Sequence, residues 1–184
     1  ETVTLCALLS SMLKYDGVFT LQTQGDGPVS MLVADMMSDG AIRGCASFDK
    51  ERVAKMQKDI IKSNAPLMLL LGRGHIAFTV DHGDNTDRYQ GIVELKGKSL
   101  VDCVQHYFKQ SEQIDTAIKI AVNKETNNWR AAGIMLQQMP EEGGEKGVKP
   151  PTISNRDEDD WRRAMVFLES CKDVELLSED LHGN

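Results

Sequence analysis

LQTQGDGPVSMLVADM, Leu21 to Met36, admits two readings. Gly25 and Gly27 flank Asp26, with apolar runs on both sides, which is the outline of a phosphate-binding loop. Such a loop needs a strand, a glycine-rich turn and then the amino end of a helix, whose free N–H groups face the phosphate. VFTLQT, before the turn, is β-branched and aromatic with polar residues interleaved, and supplies the strand. PVSMLVA, after it, opens with Pro28 and Val29 and runs with a period of two, so it is a second strand and not a helix. No Lys-Ser or Lys-Thr pair follows, and the Asp26 carboxylate would repel an anion. The stretch therefore reads as strand, β-turn, strand, with glycine where φ turns positive.

Outward from this unit, ETVTLCALLSSMLKY carries no charge between Glu1 and Lys14. Leu5, Cys6, Leu8, Leu9, Met12 and Leu13 point almost all the way round a helix, the pattern of a buried helix over Val3–Leu13. Such a start implies further residues before Glu1. Asp16-Gly17 stops the helix. After Val29–Met36 a third strand, Ala41–Ser47, follows Ser38-Asp39-Gly40, a hairpin signal. Gly44 within it marks a bulge or a close backbone approach. Asp49 caps a helix over Lys50–Lys62 with the stripe Val53, Met56 and Ile60, and LMLLL after Pro66 is a single helical turn.

His75–Asp81 and Arg88–Leu95 read as a hairpin. Ser99 and Asp102 then form a near capping box for a helix whose buried stripe is Leu100, Val104, Tyr107 and Phe108. Strands at Thr116–Val122 and Arg130–Gln138 complete a crude internal echo, which predicts two sheet units built alike. The fold class that follows is α+β: two antiparallel β-sheets enclosing a buried helix, plus a C-terminal helical linker segment. Residues 1–140 form the core domain. Residues 141–158, rich in Gly, Pro and charge, read as a flexible linker. Residues 159–184 are a helical region, with Trp161, Met165, Leu168 and Cys171 on one face of a helix over Asp159–Lys172.

A net charge of -7 argues against a general nucleic-acid binder and against attraction to anionic lipid. The apolar start is too short to span a bilayer, which takes about 20 residues, and has no basic region before it. The expectation is a cytoplasmic protein without nucleic-acid or membrane partners. Cys6, Cys45, Cys103 and Cys171 form no Cys-x-x-Cys pair and no zinc-finger spacing, and the prediction is buried, reduced thiols. His75, His82, His106 and His182 never pair at helical spacing. Ser10-Ser11 lack a nucleophile elbow. Asp157–Asp160 lack the alternation and glycine of a calcium loop. No catalytic residue and no metal ligand is assigned from the residues alone.

LQTQGDGPVSMLVAD, GAIRGCA, DRYQGIVELKGKSLVDCVQHYFKQSEQIDTAIKIAV and AAGIMLQQMP occur in that order. The series resembles the heat-shock protein 33 family of redox-regulated holdase chaperones, also called the 33 kDa chaperonin. The likeness covers Val3–Pro140 and continues over Trp161–Leu177. It implies two β-sheets enclosing a helix, ATP-independent binding of unfolding client proteins under oxidative or heat stress, and a homodimer when active. It also implies a zinc switch of Cys-x-Cys and Cys-x-x-Cys thiolates, whose spacings none of the four cysteines match. The chain then reads as a fragment without the family's N-terminal start and C-terminal zinc module. No cofactor is expected within it, and the zinc belongs to the missing module. Client contact is expected at the helix stripe Trp161, Met165 and Leu168, and the protein is not expected to be an enzyme. The rival class is a cytosolic thiol oxidoreductase using Cys45 or Cys103, or a hydrolase without a visible motif.

Overall fold

The computed structural model describes residues 1–82, 88–126, 128–138 and 155–178, with only the backbone described for 155–157. His182, most of the polar turn after His82 and the linker expected at 141–158, up to the helix that begins at Asn155, lie outside the described residues. The chain divides into two compact units, Glu1–Tyr107 and Phe108–Asn184.

The first unit opens with α1 (Thr2–Ser10). Five strands follow in antiparallel pairing: β1 (Val18–Gly25), β2 (Val29–Met37), β3 (Ile42–Phe48), β4 (Gly74–Asp81) and β5 (Tyr89–Glu94). Their spatial order is β3-β2-β1-β4-β5. Helices α2 (Lys50–Lys62) and α3 (Pro66–Leu71) connect β3 to β4, and α4 (Leu100–Tyr107) closes the unit. All these elements are ones that the sequence patterns predict, α1 ending three residues early.

Register explains the core. Gly44, Ala34, Leu21, Phe78 and Gly91 form one row straight across the five strands. Side chains alternate along a strand, so this row and its neighbours two residues away share one face. Phe19, Leu21 and Thr23 of β1 and Ile76, Phe78 and Val80 of β4 are buried there. Each end of the row is a glycine. A Cβ on Gly44 would lie 2.7 Å from Val3 Cγ2 of α1, and one on Gly91 would lie 2.6 Å from the Tyr107 hydroxyl of α4. Both helices therefore lie on the same face. The close approach predicted at Gly44 is real, and α1 is what approaches.

On α1 the buried residues are Leu5, Cys6, Leu9 and Ser10. Met12 and Leu13, beyond the helix end, are 49% and 45% exposed. Ser10 Oγ and Ser11 Oγ donate to the carbonyls of Ala7 (2.9 Å) and Leu8 (2.7 Å), so these serines spend their hydroxyls on the helix itself.

The opposite face of the sheet is polar. Asp35 Oδ1 accepts from Thr20 Oγ1 at 2.7 Å and its Oδ2 accepts from Arg43 Nε at 2.7 Å. Cys45 alternates with Gly44 and so falls on this face, on an edge strand exposed along its whole length. The prediction that all four thiols are buried is corrected: Cys6 and Cys103 are buried, Cys171 is half-buried and Cys45 is exposed.

The Gly25–Gly27 turn also needs correction. Neither glycine has a positive φ. Both are needed for space: a Cβ on Gly25 would lie 2.0 Å from the Leu71 carbonyl oxygen, and one on Gly27 would lie 2.3 Å from that of Leu70. The turn is locked against α3 and the start of β4, and Asp26 is part of the lock.

The second unit begins with a π-helical turn, Phe108–Glu112, and holds one antiparallel hairpin, β6 (Thr116–Lys124) with β7 (Trp129–Gln137). Helices α5 (Asn155–Ser170) and α6 (Asp173–Leu176) complete it. Among the described residues there are two antiparallel sheets, but they are not built alike: one has five strands and the other two. The apparent repeat came from hairpin and glycine spacing, which says nothing about how many strands join a sheet.

Candidate functional site

Helix α5 is the element on which the sequence places its functional residues. Trp161, Ala164, Met165 and Leu168 recur at helical spacing; Leu168 is 7% exposed and the other three are half-buried. Trp161 and Met165 line a cleft of about 410 Å³ with Glu158 and Arg162 of the same helix and Asp115 and Gln138 of the hairpin. Asp115 and Gln138 mark one end of the hairpin, joined by a 2.9 Å bond from the Gln138 N–H to the Asp115 carbonyl.

The other end of α5 meets Lys119 of β6. Lys119 Nζ donates to the carbonyl oxygens of Leu168 (3.5 Å), Glu169 (3.4 Å) and Cys171. From Asp115 to Lys119 a strand advances ~13 Å; from Glu158 to Leu168 a helix advances ~15 Å. The two lengths match, so α5 runs from the cleft to Lys119 along β6, and α6 beyond it packs on the same strand. The three residues singled out by sequence are thus brought to one seam, with Leu168 inside it and Trp161 and Met165 at a cleft.

Helical spacing missed the opposite side of α5. Val166 and Phe167 are 60% and 74% exposed there, about 100° per residue off the Trp161–Leu168 stripe. Trp129, at the start of β7, is 70% exposed, with Lys124 Nζ 5.5 Å from its ring centre. An apolar residue just off a stripe, or an aromatic at a hairpin end, is the only signal the sequence offers for these positions.

Two of the thiols, Cys6 and Cys103, lack the setting of a redox centre. Cys6 donates to the Ala34 carbonyl at 3.3 Å, and burial pushes its pKa up to about 12. Burial likewise raises Cys103, whose Sγ lies 3.3 Å from the Lys96 carbonyl. A raised thiol pKa disfavours the attacking thiolate. Among the described residues no three His, Cys, Asp or Glu side chains converge as a metal site. These residues do not supply the thiolate set that a zinc ion takes.

Compared with known proteins, the sequence matches the Hsp33 protein family along residues 1–182. The chain belongs to the Hsp33 family. Among Hsp33 relatives, the 33 kDa chaperonin of Caulobacter vibrioides (strain NA1000 / CB15N) is 34% identical over 181 residues, 96% of this chain and 56% of the relative. That of Escherichia coli O7:K1 is 33% identical over 178 residues, 97% of this chain and 53% of the relative. The chain spans about half the length of these curated Hsp33 relatives. The crystal structure of the Thermotoga maritima 33 kDa chaperonin superposes with a TM-score of 0.67 at 19% identity, covering 98% of this chain and 56% of that one. At that identity the likeness shows a shared Hsp33 fold. No helix among the described residues is long and apolar enough to cross a membrane.

Proposed function

We propose that this chain is the client-binding part of an ATP-independent holdase chaperone of the cytoplasm, a binding protein and not an enzyme. Its partners are unfolding proteins, with a second copy of the chain in the active state. Trp161, Met165 and Leu168 are the side chains that meet or mask the client surface. The observation that carries the reading is the seam of α5 with the β6–β7 hairpin. One buried leucine, three half-buried apolar side chains and one lysine hold a helix of 16 residues. Burying a leucine stabilises by roughly 1.5–3 kcal/mol, and half-buried side chains contribute less. A cover held so weakly can leave and expose apolar surface.

Residues 1–140 act in this reading as the core domain and residues 159–184 as its helical cover, with α5 itself beginning at Asn155. No zinc or thiol switch is assigned to a residue of this chain, and residues 1–184 are expected to act without responding to oxidants.

The test is light scattering of a heat-unfolding client with the full chain, without nucleotide, before and after peroxide. Suppression of scattering is expected in both conditions. No suppression at several-fold molar excess overturns the holdase reading. Suppression that appears only after peroxide overturns the oxidant-independent part.

A further inference from the structure

We infer that Lys119 is the positioning residue that fastens the covering helix α5 to the β6–β7 hairpin, so that docking of the cover depends on one cationic side chain. The inference rests on the reading of α5 as a cover.

A helix leaves its last carbonyl groups without intrahelical donors, and its dipole makes that end negative. In α5 these are the carbonyls after the Trp161–Leu168 stripe. The Leu168 and Glu169 carbonyls, and that of Cys171 just beyond the helix, converge on Lys119 Nζ. The ammonium has three N–H bonds and no acceptor, so three carbonyls match its donors. The side chain is half-buried, which limits competition from water. Nothing in the last turn of α5 supplies a positive charge of its own, so the cation comes from the neighbouring strand. Elsewhere along the seam Leu168 is buried and Trp161, Ala164 and Met165 are half-buried. Lys119 is thus a polar contact that fixes where α5 ends on β6.

The experiment is hydrogen exchange on the full chain, comparing native Lys119 with Lys119→Met, which keeps the aliphatic stem, and Lys119→Arg, which keeps a cationic donor. Lys119→Met is expected to speed exchange across Leu168–Ser170 by roughly tenfold, as loss of a partly buried charge–dipole contact does, with β6–β7 protection retained. Lys119→Arg is expected to restore most of the protection. Unchanged exchange in α5 overturns the inference, and so does equal loss of protection with Arg and Met.

If Lys119→Met fails to fold, the native chain decides by NMR. Slowly exchanging Nζ protons with couplings to the three carbonyl carbons support the fastening; a freely exchanging ammonium overturns it. Client scattering with Lys119→Met is a separate reading. Released α5 without altered scattering rejects the cover role proposed above, while the fastening itself stands on exchange.

Discussion

Asp26 Oδ1 accepts the backbone N–H of Arg73 at 2.7 Å, across 47 residues of chain. The Asp26 N–H in turn donates to the Arg73 carbonyl at 3.0 Å, and the Gly27 N–H to that of Leu71 at 2.9 Å. A turn that looks in sequence like a phosphate cradle is a clamp between the β1–β2 hairpin and the start of β4. Its donors are already in use.

Asp26→Ala should therefore lower stability by about 1 kcal/mol, the net worth of one such bond. Gly72→Ala should cost more, because φ is +70° there and a Cβ would lie 2.2 Å from Asp26 Oδ1. Denaturant midpoints at unchanged slope measure both. Calorimetry with ATP or GTP and magnesium should show no binding; micromolar affinity mapped to Gly25 or Gly27 would contradict the clamp.

Gly91→Ala should destabilise more than Gly44→Ala. At Gly91 the new methyl displaces Tyr107, whose hydroxyl lies 2.8 Å from that of Tyr89 and whose ring packs 5.0 Å from Phe78. At Gly44 its one close contact is Val3 Cγ2, on a side chain exposed enough to turn away, and the Val33 carbonyl oxygen is at ordinary contact distance. Overpacking of the first kind costs about 1–3 kcal/mol. Equal shifts in thermal midpoint would mean that Tyr107 is not fixed over the sheet.

In α1, Leu9→Asp should unfold the first unit, since it puts an unpaired charge in the core. Leu8→Asp, at a half-buried position, should be milder. Circular dichroism melts of the two variants check the order, and equal tolerance would overturn the burial of α1.

Native thiol titration followed by mass spectrometry should label Cys45 first, Cys171 more slowly, and Cys6 and Cys103 only on unfolding. Labelling of Cys6 at the rate of Cys45 would show that α1 does not stay on the sheet.

Stability should also fall from about pH 9 toward pH 12 by way of Cys6. Its folded pKa, about 12, lies above the ordinary thiol value of 9.0, so the native state holds the proton that the unfolded state releases. The stabilisation is complete below pH 9 and is lost as pH rises through the folded value. Cys6→Ala should flatten that part of the profile relative to the native chain. Parallel profiles would remove Cys6 as the cause.

The sequence by itself determined the elements. Alternation in VFTLQT, the Asp49 and Ser99 caps, and the Trp161–Met165–Leu168 spacing are local signals, and local backbone chemistry answers to them. Both caps form as read: Asp49 Oδ1 accepts from Glu51 and Arg52 at 3.0 Å, and Asp102 N–H donates to Ser99 Oγ at 3.2 Å. What only the tertiary structure decided was which residues meet at long range. Strand order put Cys45 on an open edge. Register set glycines at both ends of the row from Gly44 to Gly91, where helices lean in. Lys119 looks like any solvated lysine in a strand until α5, some 50 residues later, brings three carbonyl oxygens to it. Pattern along a chain fixes which way a side chain points relative to its own element; what it touches depends on distant segments arriving at the same place, which no local period encodes.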